Sequence, residues 1–167
     1  MTDQPWGGDV VYLAASDFTT PLTLFALDLN VMELTVMRRQ PQQFDSDGIN
    51  VQQFWTTSAD GERIPYFHVG KNAAPDTPTL VYAYGGFGIP ELPHYLGSVG
   101  KYWLEEGNAF VLANIRGGGE FGPRWHQAAQ GVSKHKSVDD LLAVVRDLSE
   151  RGMSSPKHIG LQGGSNG

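Results

Sequence analysis

Short runs in which apolar and polar positions alternate open the chain: Val10–Ala14, Leu22–Leu27 and Leu34–Arg38. Turn-like stretches, Asp17-Phe18-Thr19-Thr20-Pro21 and Asp28-Leu29-Asn30, separate them. Period-two alternation in closely spaced short segments predicts antiparallel β-strands. Three strands are marginal alone, so they are expected to belong to a larger β unit. Arg39–Gly48 (RQPQQFDSDG) is a polar connector. After it, Val51–Thr57 and Arg63–Val69 predict a hairpin about Ala59-Asp60-Gly61. There Asp-Gly would supply the positive φ of a tight primed turn.

The texture then becomes alternating β and α. Thr79–Tyr84, Phe110–Ile115 and His158–Gln162 are short apolar runs that predict buried strands, each stopped by glycines. Gly97–Glu106 and Pro123–Gln130 have helical character, and Val138–Arg151 is the clearest helix. Val138, Leu141, Leu142, Val145 and Leu148 form its apolar face. Ser137 is placed to cap it, with Asp140 as a capping-box-like partner. Asp139 and Asp140 suit a positive helix start, and Gly152 suits the position just past the end. Alternating strands and helices predict an α/β domain with a largely parallel sheet.

Composition narrows the function classes. The length of 167 residues fits one domain, or one domain and a piece of another. A hydrophobic fraction of 40% with 18% charged residues argues against disorder. The net charge of −6 argues against a nucleic-acid-binding surface. Absence of cysteine removes disulfides, thiolate nucleophiles and Cys-based zinc sites. No apolar run approaches the ~18 residues of a spanning helix, and MTDQPWGGDV lacks the pattern of a signal peptide. The five histidines, at 68, 94, 126, 135 and 158, form no close metal-binding pair and are expected to be surface or packing residues.

The glycine clusters carry the candidate chemistry. Gly163-x-Ser165-x-Gly167 follows a predicted strand, the pattern of a nucleophile elbow. Such a turn is sharp and strained, and side chains two residues either side of the serine would meet neighbouring backbone. The amide of Asn166 would face a developing oxyanion. Tyr84-Gly85-Gly86-Phe87-Gly88 follows the third strand of the domain, where α/β-hydrolases place a second oxyanion donor. A Tyr84 hydroxyl could take that role, and a buried core tyrosine would equally suit the position. Gly117-x-Gly119-x-x-Gly122 matches a dinucleotide fingerprint. Its context fails: the following helix is short, and the acidic residues at the right distance open a helix instead of closing a strand. Arg116 and Glu120, flanking that run, are expected to pair with each other and hold the loop, with a substrate role as the less favoured alternative. Lys134-His135-Lys136 is expected to be a solvated loop.

YGGFG (84–88), ANIRGGGEFG (113–122), Trp125-His126, the Asp139-Asp140 helix start and SPKHIGLQGGSNG (155–167) together resemble the prolyl oligopeptidase family. The resemblance covers residues 48–167. It implies a serine peptidase with an α/β-hydrolase domain and a β-propeller cap. Residues 1–45 would be the terminal propeller strands and connector, and 46–167 the N-terminal portion of the catalytic domain. It implies Ser165 as nucleophile, the Asn166 amide and Tyr84 hydroxyl as oxyanion donors, and Phe87 beside the pocket for the residue before the cleaved bond.

The implied activity is hydrolysis of short peptides after proline, with no cofactor, metal, membrane or nucleic-acid partner, by a monomeric full-length enzyme. A cytoplasmic location is expected, a periplasmic one staying open because Met1 begins within propeller-like sequence. In this fold the triad aspartate and histidine follow the serine, and only Asn166 and Gly167 follow it here. The chain therefore resembles a fragment, expected to be inactive and poorly behaved alone with an unpaired strand edge. An esterase or acylaminoacyl-peptidase relative, or a non-catalytic truncated product, are the alternatives, and nucleotide binding ranks last.

Overall fold

The alternating N-terminal runs pair as an antiparallel meander of β1 (Val10–Ala15), β2 (Thr23–Asp28) and β3 (Glu33–Arg39). The structure is a computed structural model that describes residues 8–167; the first seven residues, part of the stretch inspected for a signal peptide, lie outside the described residues. The Asp17 carboxylate builds the β1–β2 turn, accepting the Thr19 and Thr20 amides at 2.8 and 2.6 Å. That turn directs Phe18 away from the meander. Phe18 is fully buried, 5.4 Å from the Phe67 ring, in a cluster with Phe44, Leu96 and Leu104. By contrast, β1 and β3 are exposed along their whole lengths, apolar residues included.

The second sheet holds β4 (Asn50–Thr57), β5 (Arg63–Gly70), β6 (Thr79–Ala83), β7 (Ala109–Ala113) and β8 (Ile159–Gln162), in the order β4-β5-β7-β6-β8. Only β7, β6 and β8 run parallel; β5 is antiparallel to both neighbours, β4 and β7, so the sheet is mixed. The hairpin loop and its length force this: β4 and β5 are too close in sequence for a crossover. The parallel connections do cross through helices. α1 (Gly97–Val99) continues into a π-helical turn, Gly100–Leu104, between β6 and β7. α2 (Pro123–Gln127) and α3 (His135–Glu150) lie between β7 and β8.

Two sequence expectations change in detail. The β4–β5 turn is not primed: of its residues only Gly61 has positive φ (88°), and Ser58 and Glu62 close the loop at 2.8 Å. This is a three-residue loop ending in a left-handed glycine. α3 also starts three residues early and without a side-chain cap. Ser137 donates to the Arg116 carbonyl at 2.7 Å, and Asp140 is wholly buried in an ion pair, so neither caps the helix. The buried stripe is Ser137, Asp140, Ala143, Val144 and Leu148, while Val138 and Leu142 face solvent. The two polar residues rotate the helix away from its purely apolar face. At the other end, Gly152 (φ 68°) is where expected: its amide and that of Met153 donate to Ser149 and Leu148, a Schellman motif.

Side chains alternate across the sheet, giving a core on each face. Ile64, Tyr66, Val81 and Val111 pack with Val144 and Leu148 of α3, and Val69, Phe110 and Leu112 pack with Phe18 and Leu104 on the other side. His68 follows Ile64 and Tyr66 in alternation, and it is buried as a packing residue with no partner for Nε2 among the described residues. Burial pushes its pKa below the ordinary 6.5. The folded state thus prefers the neutral ring. Its contribution to stability is complete above pH ~6.5 and is lost as pH falls toward the lower folded value. Urea midpoints measured from pH 7 to 5 should fall more steeply for wild type than for His68→Phe; equal slopes would contradict this account.

Candidate active site

Because β7, β6 and β8 are parallel, their C-terminal ends deliver three glycine-bearing loops to one edge of the sheet: 114–122, 84–88 and 163–167. Crevices at such edges are the usual ligand sites of open α/β sheets. In the last loop Ser165 has φ 54°, one of three non-glycine residues with positive φ among the described residues. A Cβ on Gly163 would collide with the Gly167 backbone, and one on Gly167 with the Ala83 carbonyl. The glycines two positions either side of the serine are thus required by contact. Ser165 is exposed, and the Asn166 amide has no acceptor among the described residues.

Tyr84 leaves the end of β6 beside this turn. The Asn166 side chain donates to the Tyr84 carbonyl at 2.8 Å, tying the two loops together. A Cβ on Gly86 would strike that carboxamide. Phe87, at φ 54° and 73% exposed, stands at the mouth of a cleft of about 340 Å³ lined also by Gly86, His126, Lys134 and Asn166. The structure therefore brings Phe87 and Asn166 to one cleft, with Tyr84 bonded to its rim and Ser165 next in chain to Asn166. A larger cleft of about 430 Å³, between the β4–β5 hairpin and α2, is lined by Trp55, Phe121 and Trp125 and holds none of these residues.

The Gly117-Gly118-Gly119 run has a packing explanation. Cβ atoms on Gly117 and Gly119 would overlap the carbonyl oxygens of Gly85 and Gly88. Their absence lets the 114–122 and 84–88 loops lie backbone to backbone, with the Gly88 amide on the Gly117 carbonyl at 3.1 Å. His126 meets that same carbonyl through Nδ1 at 2.8 Å.

Arg116 anchors the pair of loops, with different partners from those its sequence neighbours suggested. Its guanidinium grips Asp140 at 2.6–3.2 Å and Asp60 at 2.7 and 2.9 Å, and its amide donates to Asp140 at 2.9 Å. Ser58 adds a hydroxyl to Asp140 at 2.6 Å. The Arg116 guanidinium, joined by Lys136 at 3.2 Å, holds the Asp60 carboxyl far below the usual carboxylate range. Glu120 instead accepts the Glu91 amide at 3.0 Å and the Asn114 side chain at 3.3 Å. Geometry decides between them: Asp140 meets Arg116 from α3, while Glu120 is turned toward Asn114 and the Glu91 backbone. Lys134 is half-buried and engaged instead of simply solvated. It donates to the Gly85 carbonyl at 2.7 Å and to Ser137 at 3.3 Å, and burial lowers its pKa.

Residues 96–167 match the model of the prolyl oligopeptidase family. Over 170 residues the chain is 44% identical to an uncharacterised peptidase of Sinorhizobium fredii, covering 100% of this chain and 23% of that protein. It is 31% identical over 160 residues to the prolyl endopeptidase of Elizabethkingia meningoseptica, covering 94% and 23%. A post-proline cleaving enzyme from Rickettsia typhi superposes with a TM-score of 0.85 at 36% identity, over 95% of this chain and 23% of that one. The chain spans about a quarter of the length of these relatives. Its fold is that of a partial α/β-hydrolase region. Among the described residues no helix is long and apolar enough to cross a membrane.

Proposed function

Since this chain carries prolyl oligopeptidase family sequence from residue 96 to residue 167 and is similar to prolyl endopeptidases over nearly all its length, we propose that it supplies the nucleophile and oxyanion donors of a serine-type oligopeptidase acting after proline. The observation that carries this is Ser165 at φ 54°, held in a turn whose flanking glycines have no room for a side chain. Strain of this kind at a non-glycine residue is maintained where it serves a site.

In the proposed reaction the Ser165 hydroxyl bonds to the peptide carbonyl carbon while its proton passes to a histidine base. That base and its aspartate are not assigned to residues of this chain. Negative charge developing on the carbonyl oxygen is met by the Asn166 amide and the Tyr84 hydroxyl. Collapse breaks the C–N bond, the amine leaves with the proton, and water hydrolyses the acyl-enzyme. Phe87, exposed at the cleft mouth, packs against the residue before the cleaved bond. We assign residues 1–45 to the end of a β-propeller and 46–167 to the start of the hydrolase domain. The separation into two sheets and the exposed apolar faces of β1 and β3 support this division.

A fluorophosphonate probe applied to the natural protein should form one adduct, mapped by peptide mass spectrometry to Ser165. Labelling at a different residue, or none at all, would refute the assignment.

A further inference from the structure

The loop carrying Tyr84 is poorly constrained by its own chemistry. Gly85, Phe87 and Gly88 all have positive φ (57°, 54° and 65°), and the segment forms neither helix nor strand. An oxyanion donor is effective only if it is already in place when charge develops. Something outside the loop must therefore fix it. Two successive carbonyls are held by side chains from other elements: Tyr84 by Asn166 at 2.8 Å, and Gly85 by Lys134 at 2.7 Å. Asn166 comes from the serine turn. Lys134 comes from the residue just before α3, whose first turn is locked to Arg116 through Ser137.

The Lys134 bond differs from the others in kind. An ammonium donating to a peptide carbonyl is charge-assisted and roughly twice as strong as a neutral pair. Lys134 also donates to the Ser137 hydroxyl, which itself donates to the Arg116 carbonyl. On its other side the Gly85 carbonyl lies against Gly117 with no room for a Cβ. The carbonyl is thus caught between a cation and a backbone wall.

We infer that Lys134 is a positioning residue for acyl transfer, its ammonium pinning the Gly85 carbonyl and so setting the Tyr84 hydroxyl at the oxyanion position. This rests on the reading of Ser165 and Tyr84 given above. Lys134 touches no reacting atom. Its effect should pass through Tyr84, which a purely structural role would not require.

The test compares wild type, Lys134→Met, Tyr84→Phe and the double variant of the natural protein, using a fluorogenic peptide with proline before the dye. Active sites are counted by fluorophosphonate titration, so misfolded molecules do not enter the rates. Removing an oxyanion donor outright lowers kcat by about 10²–10³-fold, and a misplaced one should lower it by about tenfold or more. Lys134→Met is expected to lower kcat by that tenfold, with KM within about twofold of wild type. In the Tyr84→Phe background the same substitution should add less than about twofold. Lys134→Gln, shorter and neutral, should behave like Lys134→Met and serves if the latter yields too few titratable sites. Turnover that needs Ser165 but is indifferent to both Lys134 variants overturns this inference alone, as does a loss of equal size with and without the Tyr84 hydroxyl. Turnover that survives Ser165→Ala removes Ser165 as the nucleophile and this inference with it.

Discussion

Ser165→Ala should abolish fluorophosphonate labelling and lower peptide turnover by a factor on the order of 10⁶, the cost of removing a serine nucleophile that acts as one unit with its base. Its effect on folding should be small. Ser165 is exposed, its hydroxyl donates to nothing among the described residues, and alanine inherits the same positive φ without adding bulk. Thermal unfolding of the two proteins should therefore coincide within a few degrees while activity separates them completely. Substantial turnover in the alanine variant would place the chemistry at another residue. A large loss of stability would mean that the hydroxyl, and not the strained turn, is what the structure needs there.

Arg116→Met should destabilise the fold by about 3–5 kcal/mol, because it strands a buried carboxylate. Asp140 has no exposed side-chain surface, and Arg116 supplies its charge partner and its amide donor. The methionine keeps the amide and much of the side-chain volume but leaves Asp140 with only that amide and the Ser58 hydroxyl. Adding Asp140→Leu should recover part of the loss, since a buried pair replaced by apolar groups of similar size is often neutral. Urea unfolding of the single and double variants measures both effects. A single variant within 1 kcal/mol of wild type, the range of a surface pair, would show that water reaches Asp140 and that the cluster is no buried anchor.

What the sequence made readable follows a physical rule. Features set by neighbours in the chain were legible: the alternation of β1 to β5, the Gly152 helix stop, and the Gly163-x-Ser165-x-Gly167 turn. Parallel pairing of β6, β7 and β8 followed from the helices between them. Features set by residues that meet only after folding were not. The two ends of the glycine run suggest pairing Arg116 with Glu120, but the partners of Arg116 lie 24 and 56 residues away. Ser137 and Asp140 have the spacing of a capping pair, but their use by Arg116 rotates α3 away from the apolar count. Lys134 gave no signal at all beyond a short basic run. Its partner is a backbone carbonyl, which has no letter in the sequence. Phe18 carried the same blind spot, since nothing in a turn-like DFTTP marks one residue as a plug for the other sheet.

The contact between Gly117 and the Gly85 carbonyl has a consequence for motion. Two backbones that touch without a side chain between them have no compressible layer to absorb displacement. The 114–122 and 84–88 loops must then fluctuate as one body. Arg116, clamped at its amide, carbonyl and guanidinium, is the stiff end of that body, and the Tyr84 ring, beyond the carbonyl that Asn166 holds, is its far end. Amplitude at the phenol then depends on how firmly a residue of the neighbouring loop is held, as well as on Asn166 and Lys134. Loosening Arg116 would therefore blur the proposed catalytic edge as well as weaken the fold.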